Sequence, residues 1–255
     1  MLLGLIRPSQ GSIHLFGKDL KKEKLNILRK VGSLVEYPSN YGHLTAVQNL
    51  EAIRRILDVP KSRIDEVLDI VQLTKEAKRP VKGYSLGMKQ RLGIASALLG
   101  SPELLILDEP TNGLDPAGIH EIRELIRSMP KQHGITVLVS SHLLSEVEQM
   151  AGTVGIIREG VMVFQDTIHN LQQQAAGGFQ LKVSNPQEAL QLIHAEGYSG
   201  ELNKGALMLT KMSDQQIANV IKRLVDNHHD IYRVEENRKS LEDIFMQVIG
   251  QGGIL

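Results

Sequence analysis

Two adjacent acidic residues that directly follow an apolar run carry the strongest chemical signal in the sequence. Asp108 and Glu109 come after the run 104–107, which is typical of a strand buried in a parallel sheet. Ligands of open α/β folds bind at the carboxyl edge of such strands, and carboxylates there are costly unless a cation or a reaction uses them. In nucleotide hydrolases the first acid holds Mg²⁺ and the second polarises the attacking water. The alternative is that both acids face solvent or cap the next helix.

Two further residues follow predicted strands or turns close to this pair. His142 comes after the apolar run 135–139, so it is placed to contact a terminal phosphate; otherwise it is a packed loop residue. Asp115 stands before Pro116, where it can cap the helix that the proline opens. Taken alone, Asp115 is more simply interpreted as a cap than as a ligand.

Upstream, Ser85 and Gly87 stand at the start of a helix predicted over 87–99. A hydroxyl, free backbone N–H groups and the positive end of the helix dipole together make a site for an anion. The alternative is that Ser85 serves only as an N-cap.

Hydrophobic periodicity and capping signals predict the helices that surround these residues. Thr45 and Gln48 form a capping-box signature, and the helix after them is expected to bury Val47, Leu50, Ile53, Ile56 and Leu57. A second helix is predicted after Ser62. The first six residues have the pattern of the last turns of an apolar helix without an N-cap, so we expect a chain that lacks its natural beginning.

The predicted strands alternate with helices in the first part of the chain. Apolar runs over 31–35, 103–107 and 135–139, with a helix between the last two, indicate a parallel sheet covered on both faces. A hairpin is predicted from the runs 154–157 and 161–164. This pattern is typical of an α/β domain.

The second part of the chain has shorter elements and a different composition. The Gln- and Gly-rich run 171–178 is typical of a linker, so we place a domain boundary near Ala176. Beyond it, helices capped by Asn185 and Ser213 alternate with short strands, which predicts a small α+β unit of the split βαβ kind. A last helix is expected from Ser240.

Length and composition limit the classes of function. The 255 residues carry 29 Lys+Arg, 29 Asp+Glu and no Cys. Zero net charge removes the electrostatic basis of non-specific nucleic-acid binding, so no nucleic-acid partner is expected. The lack of Cys excludes disulfides, thiolate zinc sites and cysteine nucleophiles, and no apolar run approaches the ~20 residues that span a bilayer. We expect a soluble protein of one large or two modest domains.

The order of these features resembles the ATP-binding cassette (ABC) family of transporter ATPase subunits over residues 1 to about 170. In that family's terms, residues 84–88 match the signature motif, residues 104–108 the Walker B strand and residues 113–115 the D-loop. The run 85–90 and the tail 240–245 are similar to those of the bacitracin-resistance and lantibiotic-protection exporters.

The resemblance implies a role for each matching residue. Glu109 falls on the catalytic carboxylate, His142 on the switch histidine and Asp108 on the Mg²⁺ ligand. Ser85, Gly87 and Asp115 would contact ATP across a dimer interface. The expected fold is α/β, a P-loop NTPase-type ABC nucleotide-binding domain over residues 1–170 that is truncated at its N-terminus. It includes a helical subdomain at about 41–100, and a small α+β C-terminal domain follows over 177–255.

The sequence departs from the family at three points. No G-x-x-x-x-G-K-[ST] loop (Walker A) is present, because the only Gly-Lys pair, at 17–18, is followed by Asp19. Glu36 stands where most members carry a Gln that senses the γ-phosphate and Mg²⁺, so it would be a charged ligand; otherwise it is an exposed loop residue. Leu86 replaces a glycine and Met88 a Gln of the signature, but Ser85 and Gly87 are kept.

The resemblance further implies an activity and partners. It predicts an ATP- and Mg²⁺-binding, ATP-hydrolysing subunit of a bacterial exporter of antimicrobial peptides or related drugs. Its partners would be a second ATP-binding subunit, as a homodimer, and a separate membrane permease that holds it at the cytoplasmic face and docks on residues 37–82. One alternative is a truncated, catalytically silent cassette that completes a partner's ATP site. The other, an ABC protein of translation or DNA repair, is disfavoured by the zero net charge and the exporter-like tail.

Overall fold

The computed structural model describes residues 1–35 and 38–238 of the chain. It divides into two compact units, Met1–Met150 and Ala151–Leu255. Within the described ranges, no helix is both long enough and apolar enough to cross a membrane.

The first residues do not form the helix that their apolar pattern predicts. Residues 1–13 form turns and bends, with one backbone hydrogen bond of 2.8 Å from the N–H of Gly4 to the carbonyl of Met1. A helix of six residues would close too few i→i−4 hydrogen bonds to offset its nucleation. Two short antiparallel strands follow, β1 (His14–Leu15) and β2 (Lys18–Asp19), and then helix α1 (Lys24–Leu28).

The helical segment follows the first long strand, β3 (Val31–Val35). It comprises α2 (Ala46–Leu57), α3 (Ser62–Ile70), two short 3₁₀ turns (Thr74–Glu76 and Val81–Gly83) and α4 (Leu86–Leu98). The capping box at Thr45 and Gln48 is confirmed, with both reciprocal hydrogen bonds formed.

The buried face of α2 is narrower than its sequence predicts. Leu50 is fully buried, and Val47 and Ile53 pack against the same core, but Ile56 is 83% exposed and Leu57 44%. Ile56 lies about 120° around the helix from Leu50, outside the contact with α3 and α4. Leu57 belongs to the last turn, where neighbouring helices cover it only in part.

Three parallel strands form the sheet of the first unit. The order is β3-β4-β5, with β4 (Leu104–Asp108) and β5 (Thr136–Ser140) each beginning and ending one residue later than expected. Helix α5 (Pro116–His133) connects them, and α6 (Leu144–Met150) follows β5. The parallel arrangement is confirmed. The prediction that helices cover both faces of this sheet is not confirmed. Leu105 and Leu107 are fully buried, but Leu138 on β5 is 46% exposed.

A close approach of backbones seats α4 on the sheet. A Cβ atom added to Gly32 in β3 would collide with the carbonyl group of Ala97 in α4. Only glycine therefore lets the helix lie against this strand. The contact fixes the direction of α4, whose N-terminus carries Ser85.

The second unit begins with a hairpin, and residues 171–178, predicted as a linker, belong to a helix and the strand that follows it. Strands β6 (Thr153–Arg158) and β7 (Val161–Thr167) pair antiparallel and lead into helix α7 (Ile168–Ala175), which runs directly into β8 (Ala176–Val183). Ile168 and Leu171 are buried, so α7 has an apolar anchor that the Gln-rich composition conceals. The hairpin and α7 lie in this unit, whereas the predicted first domain, residues 1–170, included the hairpin.

The remainder of the second unit has the predicted split βαβ topology. The elements are α8 (Pro186–Ala195), β9 (Gly200–Asn203), β10 (Ala206–Leu209), α9 (Asp214–Asp226) and β11 (Ile231–Arg238), and the antiparallel sheet has the order β11-β8-β10-β9. Ser213 caps α9 as expected, but the side chain of Asn185 makes no capping hydrogen bond. Its amide donates instead to Glu188, at 3.3 Å. The helix expected from Ser240 falls outside the described residues.

A carboxylate clamp holds the C-terminal half of α2. Glu51 accepts hydrogen bonds from Nε of Arg54 at 2.8 Å and from Nε of Arg55 at 2.7 Å. Arg54 also donates to the carbonyl of Val59, at 2.6 Å, just beyond the end of the helix. The two guanidinium groups, that of Arg54 first, lower the pKa of Glu51 from 4.5 to about 2.

We expect Glu51 to contribute to the stability of the fold only while it is ionised. Its pKa is lower in the folded state, so the contribution is complete above about pH 4.5 and is lost as the pH falls towards 2. Glu51→Gln should therefore reduce the loss of stability between these pH values, measured as the urea midpoint by circular dichroism. Glu124→Gln, which removes one exposed ion pair to Arg127, is the control. Equal acid sensitivity in the unmodified chain and in Glu51→Gln would contradict this role.

Candidate functional site

The parallel register places a hydroxyl and a carboxylate side by side at the carboxyl edge of the sheet. Val35, Asp108 and Ser140 are aligned across β3, β4 and β5. The Ser140 hydroxyl donates a hydrogen bond to a carboxylate oxygen of Asp108. It also accepts one from the backbone N–H of Glu109, at 3.1 Å. Ser140 was not identified from the sequence, although its position at the end of an apolar run was the signal for it.

Glu109 and His142 form a direct pair beside Asp108. Nδ1 of His142 lies 2.8 Å from Oε2 of Glu109, and the glutamate side chain is 29% exposed against 62% for the histidine. An ionised carboxylate can only accept, so Nδ1 carries the proton in this contact. The strand ends thus bring together three of the predicted residues.

The backbone of Glu109 is strained. Its φ is +47°, in the left-handed region that side chains with a Cβ adopt at a cost of about 1–2 kcal/mol. Its N–H donates to the carbonyl of Ser140 at 3.2 Å, and its carbonyl accepts from the N–H of Asn112 at 3.1 Å. These bonds hold the conformation that directs the Glu109 side chain to His142.

The loop after Glu109 is anchored by a buried acid. The Thr111 hydroxyl donates to Oε2 of Glu146 at 2.5 Å, and both side chains are buried. Glu146 lies in α6, the helix that follows His142. The pair therefore joins the two chain segments that carry Glu109 and His142. No periodic pattern predicts this contact, because the two residues are 35 positions apart.

Asp115 caps α5, as its position before Pro116 predicts. Its carboxylate accepts from the N–H of Gly118 at 3.0 Å. A role of Asp115 towards ATP stays a prediction.

Ser85 and Gly87 lie at the N-terminus of α4, next to the start of α5. The Ser85 hydroxyl accepts from the N–H of Met88 at 3.2 Å and so acts as the N-cap. A Cβ added to Gly87 would lie 3.8 Å from Cα of Gly118. Leu86 packs beside the turn at Gly113, where an added Cβ would lie 3.3 Å from its Cδ2 atom. Ser85, Gly87 and Asp115 form a second group of candidate residues, at two adjoining helix starts.

The described residues could bind Mg²⁺ only together with water and phosphate, as is usual for this ion in proteins. Such binding uses one or two carboxylates and completes the octahedron with water and phosphate oxygens. Asp108 and Glu109 supply carboxylates at the sheet edge, but no group of three or more His, Cys, Asp or Glu side chains in the described ranges could hold a metal alone. Glu36, the other predicted ligand, lies outside the described residues.

A parallel sheet with an acid pair, a facing histidine and two helix starts defines an α/β nucleotide-binding domain. Comparison with known proteins agrees. The family model described as "ABC transporter" matches residues 1–112. Together with a relative that is 44% identical over the whole of this chain, described next, this match shows that the chain belongs to the ABC transporter family.

Curated relatives and a solved structure support this assignment. The bacitracin transport ATP-binding protein BcrA of Bacillus licheniformis is 44% identical over 257 residues, which cover all of this chain and 84% of the relative. The lantibiotic transport ATP-binding protein SrtF of Streptococcus pyogenes is 47% identical over 176 residues, 68% of this chain and 75% of the relative. The structure of cbiO1 from Clostridium perfringens, part of the ABC transporter complex cbiONQ, has a TM-score of 0.62 at 25% identity and covers 76% of each chain.

We expect the buried pair of Thr111 and Glu146 to be essential to this part of the fold. Thr111→Val keeps the side-chain shape but leaves the buried carboxylate without its donor, which should lower the free energy of unfolding by about 1–3 kcal/mol. Denaturant titration measures the change. Thr136→Val, the same substitution at an exposed position of β5, is the control and should change it by less than about 0.5 kcal/mol. Equal effects of the two substitutions would contradict the anchoring role.

Proposed function

We propose that the chain is the ATP-binding subunit of a bacterial exporter of antimicrobial peptides such as bacitracin or lantibiotics. The pairing of Glu109 with His142 beside Asp108 is the observation that carries the proposal, because it is the arrangement that hydrolysis of a bound nucleotide needs. The printed functions of the bacitracin and lantibiotic transport relatives support the substrate class.

Each residue of the first group has a distinct part in this proposal. Asp108 holds Mg²⁺, which supplies charge neutralisation for the phosphates when it is bound. Glu109 accepts a proton from the attacking water and orients it. His142 keeps Glu109 in place through Nδ1, and in the protonated ring its Nε2–H would donate to the terminal phosphate. Glu36 would add a further oxygen ligand.

The second group would serve a neighbouring subunit in a homodimer. Ser85 uses only an oxygen lone pair in capping α4, so its hydroxyl proton remains available for a phosphate oxygen. The N–H of Gly87, in the first turn of α4, adds a second donor at the positive end of the helix dipole. Asp115 at the adjoining start of α5 would line the same interface.

A membrane permease is the second partner in this proposal and would hold the chain at the cytoplasmic face of the membrane. Residues 37–82 are the proposed docking surface. Tyr41 and Ile56 are 63% and 83% exposed in this segment, so apolar side chains are available there for contact with a partner.

The 255 residues contain no Walker A loop, so the chain by itself is expected to bind nucleotide weakly. Each charge-assisted hydrogen bond that the loop would supply is worth about 1.5–3 kcal/mol. The alternative function follows from the same fact: a catalytically silent cassette that completes a partner's ATP site through Ser85 and Gly87.

We predict no phosphate release by this polypeptide alone at millimolar ATP above the background of Glu109→Gln. The physical reason is the lack of the loop's N–H groups and lysine. The control is Glu103→Gln, at an exposed position just before β4, because it removes the same charge away from the candidate site. Turnover that survives Glu103→Gln and disappears in Glu109→Gln would overturn the prediction.

The partner-completing alternative requires a different assay. The chain is mixed with a homologous cassette that contains G-x-x-x-x-G-K-[ST], and ATP hydrolysis by the mixture is measured. If the alternative holds, the chain stimulates hydrolysis and Ser85→Asp abolishes the stimulation, because aspartate still caps a helix but repels phosphate. Ser213→Asp, the same change at the N-cap of α9, should leave it intact. No stimulation by the unmodified chain would rule the alternative out.

A further inference from the structure

Among the described residues of the C-terminal unit, one face of the sheet is open and carries a groove to which the proposed transport function assigns no role. Helices α8 and α9 pack on the other face, where Leu181 and Leu207 are buried. On the open face a cavity of about 260 Å³ lies over β8, β10 and β11. Its floor includes Ala206, a small side chain that leaves room above the sheet.

The ionisable residues that line this groove have an excess of positive charge. They are Lys182, Lys204, Arg233 and Glu235. Arg233 forms an ion pair of 3.4 Å with Glu235. Within the described ranges, the ammonium groups of Lys182 and Lys204 make no hydrogen bond or ion pair, and both side chains are exposed.

Two of these cations stand directly opposite each other. Arg233 on β11 is aligned with Lys182 on β8, and like charges at aligned positions of antiparallel strands destabilise a sheet. The ion pair with Glu235 offsets only one of these two charges. An anion bound between the two side chains would turn the repulsion into attraction.

The third cation comes from a strained turn. Lys204 and Gly205 form the two-residue turn between β9 and β10, with φ values of +47° and +79°. Such turns favour Asn, Asp or Gly at the first position, where a lysine is strained. Its position beside the groove adds a long cationic side chain to the two on the sheet.

We propose that this groove binds a phosphate monoester. Three cations and one carboxylate leave a net charge of two positive units, which matches a phosphate monoester in its doubly ionised form. The side chain of Gln180 adds an amide donor at the same face. A volume slightly below the ~300–1,000 Å³ of drug-sized sites indicates a small ligand or a headgroup. The phosphate belongs either to a small soluble molecule or to an anionic lipid.

The experiment measures binding to the full chain in two parallel arms. In the first, inorganic phosphate and glycerol 3-phosphate are titrated calorimetrically at constant ionic strength. In the second, the chain is sedimented with phosphatidylcholine vesicles that contain phosphatidic acid, against vesicles of phosphatidylcholine alone. Binding in either arm supports the proposal, and the arm that binds more tightly identifies the source of the phosphate.

Three variants localise the binding. Lys182→Gln and Lys204→Gly should each raise the Kd by about tenfold or more, because each removes one charge-assisted contact. Lys204→Gly also relieves the strained turn, so the thermal midpoint of this variant should not fall. Weaker binding by the variant could then not be attributed to a folding defect. Lys222→Gln, an exposed lysine on α9 at the other face, should leave the Kd unchanged. No binding in either arm, or equal Kd values for all variants, would overturn the proposal.

Discussion

The parallel register of β3, β4 and β5 determines where every side chain at the carboxyl edge stands. Leu105 and Leu107 are fully buried, and a slip of one residue would turn them to the opposite face. Burial of these two side chains therefore fixes Asp108 in line with Ser140 and places Glu109 just beyond the sheet. The pairing of Glu109 with His142, and the loop that Thr111 anchors, follow from that alignment.

Most of what the sequence predicted correctly rests on short-range signals. Capping boxes at Thr45 and Ser213, the apolar strands and the Asp115 cap each depend on residues within a few positions. The proximity of Glu109 and His142 was also predictable, because each comes just after an apolar strand and the strand ends of a parallel sheet meet at one edge. The contact of Thr111 with Glu146 did not, since it joins distant polar residues that no periodicity marks.

The errors have physical causes as well. The run 171–178 reads as a linker by composition, yet a helix forms there because Ile168 and Leu171 are buried. No strand was predicted at β9, because it is polar and only four residues long, and its pairing with β10 alone defines it. The apolar first six residues lack the length to sustain a helix. In each case tertiary contact, or the lack of it, outweighed local composition.

The left-handed backbone at Glu109 sets the stability of the fold against the placement of this side chain opposite His142. Glycine or asparagine would occupy the same φ of +47° with less strain, so a protein engineer who optimised thermal tolerance alone would replace the glutamate. Such a variant would unfold at a higher temperature. It would also lack the only carboxylate that contacts the imidazole of His142 in the described part of the chain. Ranking variants by heat resistance alone would therefore favour the loss of the pair between Glu109 and His142.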